Sequence, residues 1–107
     1  MTTIDAFRGS VSATTPPADL GPALQALWWA RKADWDQAHA CVQQHGGDAD
    51  CDLVHAHLHR QEGDLENARH WSRCAGRSPS TVPLPEEWDA IATELLSRQR
   101  ATGQGAP

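Results

Sequence analysis

The chain has 107 residues, 14 acidic and nine basic, for a formal charge of −5 at pH 7 with histidine neutral. That length leaves one domain and excludes a barrel or a two-domain enzyme. No window approaches the run of about 18 apolar residues that a membrane helix needs, and no charged and then apolar leader opens the chain, so the expected location is the cytoplasm.

Residues 1–18 are rich in Thr, Ser, Ala and Pro and are expected to form a disordered tail, as are residues 101–107, leaving 19–100 as a single folded domain. Between Gly21 and Ser80 only Val42 and Val54 are β-branched, which nearly excludes a sheet and predicts an all-α fold. Pro22 suits a first helical position and opens a helix through Lys32. Asp34, with Gln37 three residues on, caps a second helix that Gly46-Gly47 stops. A third runs from about Ala49 to Glu62, with Gly63 as a left-handed terminator. Asp64 caps a fourth that ends at Gly76. Pro79, Pro83 and Pro85 delay the fifth, Glu86 to Arg100, whose stripe of Trp88, Ile91, Ala92, Leu95 and Leu96 suits a C-terminal capping helix. Leu, Ile, Val and Phe together number only 16, so the 17 alanines and five tryptophans must supply much of the core.

A shift of 30 residues aligns Ala26 with Ala56, Asp34 with Asp64 and Ala38 with Ala68, and pairs Trp35 with Leu65 and Trp29 with His59. Two helical hairpins thus share one plan, in which small residues allow close helix approach and bulky ones fill the groove beside them. Gly63-Asp64-Leu65 with Ala68 and Ala75, and Ala33-Asp34-Trp35 with Ala38, resemble the tetratricopeptide repeat. The resemblance covers about residues 22–76 and implies two antiparallel hairpins that bind a protein or peptide. The segment from His55 to Asp64, with Asn67, Ala68 and Trp71, also resembles a signature of small uncharacterised, mainly bacterial proteins. That likeness implies only that this stretch forms the site.

All six histidines lie in the two hairpins. Cys51, His55 and His59 follow one another at four-residue intervals and share a helix face, Cys41 with His45 and His70 with Cys74 repeat the spacing, and such ladders suit a transition metal held between helices. The plain alternative is that the cysteines are small core residues, since no Cys-x2-Cys knuckle is present. The three cysteines are expected to be reduced thiols. His59, at an inner position, needs a partner such as Asp64, Glu62 or a backbone carbonyl if it is structural. Otherwise it faces a ligand, with Arg60 as a fork for carboxylate or phosphate and His57 exposed beside it. Adjacent Trp28 and Trp29 point about 100° apart, so one of them is a candidate exposed anchor.

The nine cations are scattered, against nucleic-acid binding. No nucleophile elbow, phosphate loop or dinucleotide fingerprint is present, so no enzymatic activity and no cofactor are expected, although Cys74 with His70 could in principle form a nucleophile pair. The expected function is a small interaction module binding a protein or peptide through Leu27, Arg31, His55, His57, His59, Arg60, Gln61 and Trp71, with homodimerisation as a competing use of the surface. The alternative is a metal- or small-ligand-binding protein organised by the His/Cys cluster, with Cys51, His55, His59 and His70 as metal candidates.

Overall fold

The computed structural model describes residues 3–105 and contains six helices, with no strand among the described residues. They are α1 (Ile4–Ser10), α2 (Pro22–Arg31), α3 (Trp35–Gln43), α4 (Ala49–Gln61), α5 (Leu65–Cys74) and α6 (Leu84–Gly105). Helices α2 and α3 form one hairpin, α4 and α5 a second, and α3 packs on α4 so that the hairpins stack.

The two hairpins turn identically. At the end of α2 the Asp34 and Ala33 amides donate to the Trp29 and Ala30 carbonyls at 2.9 and 3.1 Å. At the end of α4 the Asp64 and Gly63 amides donate to His59 and Arg60 at the same distances. Closing a helix this way puts the residue after the cap in the left-handed region, where Gly63 has φ 84° and Ala33 has φ 65°. The aspartate that follows then caps the next helix, accepting from Gln37 N–H at 3.1 Å and from Asn67 N–H at 3.2 Å. Ala26 and Ala56, and Ala38 and Ala68, are all buried where the paired helices touch.

The core gathers α2, α4 and α6: Leu24, Leu27 and Trp28 meet Val54 and Leu58 and the Trp88, Ile91, Ala92, Leu95, Leu96 stripe. The stripe docks as its spacing predicts, and its surface is the layer made by α2 and α4. Trp88 Nε1 donates to the Leu27 carbonyl at 2.8 Å, which fixes the rotation of α6 against α2.

The N-terminal residues depart from expectation. Of the expected 1–18 tail, positions 1 and 2 lie outside the described residues, and Ile4, Phe7 and Val11 fall at helical spacing and place one face of α1 on the core. Phe7 is fully buried and stacks on Trp88 with ring centroids 5.4 Å apart. Ser10 Oγ accepts from Trp28 Nε1 at 3.0 Å, and Lys32 Nζ donates to the Val11 carbonyl at 2.8 Å, closing the segment onto α2. Of the two adjacent tryptophans, Trp28 is therefore buried and Trp29 half-buried. At the other end α6 continues to Gly105, so most of the expected 101–107 tail is helical backbone and its last two positions lie outside the described residues.

Candidate functional site

His55 and His59 stand one turn apart on α4 with parallel rings whose centroids are 4.9 Å apart. The spacing predicted a shared face, and the fold adds a third imidazole. His39 on α3 meets both rings edge-on, at 4.8 and 5.6 Å between centroids. Its Nε2 lies 3.1 Å from His55 Nε2, and one ring nitrogen of each histidine lies within 4.8 Å of the other two.

Each ring is held by a neighbour. Trp35 donates its Nε1 proton to the Leu58 carbonyl at 2.7 Å, tying α3 to α4, and its indole stacks on His39 at 4.6 Å. Trp71 stacks on the other side of His55 at 3.9 Å. His59 Nδ1 donates to Glu62 Oε1 at 2.6 Å, so the lone pair of the neutral ring sits on Nε2. His55 and His59 are buried, His39, Trp35 and Trp71 half-buried. Burial pushes the His55 imidazolium down to about 4, reinforced by His39, His59 and His70, and burial and His59 lower that of His39. His39 and His55 are therefore held neutral, each with a ring lone pair.

His57 belongs to a different network. It was expected on the exposed side of the helix, but α6 covers that face of α4 and His57 is 1% exposed. Its Nδ1 donates to Glu87 Oε1 at 2.6 Å, and Arg60 Nη1 lies 3.0 Å from the same oxygen. Burial pushes the Glu87 carboxyl up, but the bonds and charge of His57, with Ser80 and Arg60, outweigh it and hold the group below its ordinary range. Arg60 Nη2 also donates to the Val82 carbonyl at 2.7 Å, so this arginine fastens α4 to the loop before α6.

The remaining expected residues scatter. Leu27 is fully buried under α6 and offers no surface, a correction that follows from the same docking. Arg31 is exposed with its guanidinium 4.7 Å over the Trp88 ring, and Gln61 is exposed at the end of α4. Cys51 is in the core, where burial and the nearby Asp48, Asp50 and Asp52 push its thiol up to about 12, and its sulfur does not belong to the three-histidine group. His70 contacts Cys74 Sγ at 3.7 Å on the exposed side of α5 and is not a member of the three-histidine group. His39 was not among the sequence candidates. Its signal was its place four residues after Trp35 on the helix that the hairpin plan packs against the next repeat.

No protein-family model matches the chain, and no curated protein or solved structure matches it.

Proposed function

We propose that the protein binds one divalent transition-metal ion, zinc or a similar borderline ion, through His39, His55 and His59. One observation carries the reading: three imidazoles from two helices converge, and the nearest nitrogens are 3.1 Å apart. Two nitrogens bound to tetrahedral zinc at about 2.0–2.1 Å are themselves separated by about 3.3 Å, so His39 and His55 already stand at ligand spacing. Glu62 supports it, since a metal-bound histidine characteristically donates its second N–H to a carboxylate, and Glu62 accepts that bond from His59. The donor set differs from the sequence candidates Cys51, His55, His59 and His70 by gaining His39 and losing Cys51 and His70.

The test is metal content of the untagged whole protein by mass spectrometry, then zinc titration of the wild type and of His39→Ala, His55→Ala and His59→Ala. One tight equivalent, lost in each variant while the helical circular dichroism persists, is the expected result. Undiminished zinc binding in all three variants would overturn the reading.

A second reading, a tetratricopeptide-like interaction module, is favoured by a cleft of about 290 Å³ lined by Arg60, Leu65, Ala68, Arg69, Ser72 and the 79–81 loop. Leu65 and Arg69 are the repeat counterparts of Trp35 and His39, which the second hairpin covers; α6 packs on α2 and α4 instead, and Leu65 is 55% exposed. The free end of the stack is thus where a peptide partner or a second copy would bind. Leu65→Glu with Arg69→Glu is expected to abolish pull-down of such a partner without lowering the melting temperature.

A further inference from the structure

Resting on the metal reading above, the geometry points to an open centre: the ion held by His39, His55 and His59 keeps a solvent-facing coordination position that takes a small monodentate anion such as a carboxylate. The other donors near these rings are already committed. Glu62 accepts from His59 Nδ1, and Asp64 accepts from the Asn67 backbone amide at 3.2 Å and its side-chain amide at 2.7 Å. His57 is bonded to Glu87 on the face of α4 that α6 covers, His70 lies against Cys74, and Cys51 is enclosed by the core. Among the described residues no fourth His, Cys, Asp or Glu atom joins the three nitrogens.

Closed structural zinc sites use four protein ligands, whereas sites with three leave the fourth position to water. Access is consistent with that division. His55 and His59 are buried, but His39 is half-buried, and the two indoles that flank the group, Trp35 on His39 and Trp71 on His55, are themselves half-buried. Three neutral imidazoles leave the ion's double positive charge uncompensated in the first coordination sphere, which favours an anion in the remaining position.

Cobalt(II) reports coordination number through its visible absorption, so the experiment loads the whole metal-free protein with one equivalent of cobalt(II) and titrates azide, then acetate. The expected result is a saturable shift of the cobalt bands with either anion, reversed by dialysis. Cobalt bands that appear on loading and stay unchanged with both anions would mean a closed site, overturning the open position while leaving metal binding intact. No cobalt spectrum in the wild type, or the same spectrum in His39→Ala with His55→Ala, would overturn the metal reading and this inference together.

Discussion

The Nε2 atoms of His39 and His55 face each other at 3.1 Å although 16 residues separate them in the chain. At that distance both Nε2 atoms cannot carry a proton, so at least one ring presents a lone pair to the other. The contact exists because the Trp35 indole ties α3 to the Leu58 carbonyl of α4 and sets the register of the two helices.

Removing the carboxylate behind His59 should weaken the centre without destroying it. Glu62→Gln is expected to lower zinc affinity by about 10–100-fold, the usual effect of losing such an orienting partner. Competition against a chromophoric chelator measures it, and an unchanged affinity would show that Glu62 only caps the end of α4.

Zinc should also stabilise the fold. At a free concentration about 100 times Kd the expected gain is about 2.7 kcal/mol, seen as a rise in Tm that a chelator reverses.

Without metal, stability should depend on pH through His55. A histidine in the unfolded chain takes its proton near 6.5, whereas burial holds that of His55 down to about 4 in the folded state. Below about pH 6.5 the unfolded chain therefore binds a proton that the folded chain refuses, and the stability present above that pH is lost as pH falls toward the folded value, by on the order of 2–3 kcal/mol. Melts in chelator between about pH 7 and 4.5 should fall more steeply for the wild type than for His55→Gln. Equal slopes would show that His55 is not held neutral.

The Glu87 carboxylate holds His57 and Arg60 together on the buried side of α4. Glu87→Ala strands both partners and should cost about 3–5 kcal/mol in a denaturant titration, with zinc affinity per folded molecule unchanged. A loss of affinity in folded protein would mean that the two faces of α4 are coupled.

Two substitutions probe the backbone and the N-terminus. Ala33→Gly relieves the left-handed conformation at φ 65° and should stabilise by about 0.5–1 kcal/mol. Phe7→Ala should cost about 3–5 kcal/mol, a loss that a disordered tail would not produce.

What the sequence by itself determined is local. The caps at Asp34 and Asp64, the left-handed turn at Gly63, the spacing of Trp88, Ile91 and Leu95, and the shared face of His55 and His59 all follow from contacts within a few residues, so periodicity and turn chemistry specify them. The Ile4, Phe7, Val11 stripe was equally local but was masked by the Thr, Ser and Pro around it. Tertiary structure alone decided which face of α4 meets which neighbour. His57 and Leu27 looked like surface until α6 arrived from 30 and 61 residues further on, and His39 looked unrelated to His55 until α3 docked. Side-chain direction along a helix is fixed by the 3.6-residue turn, but whether a direction ends in water, in a carboxylate or in another imidazole is fixed by packing between segments distant in the chain.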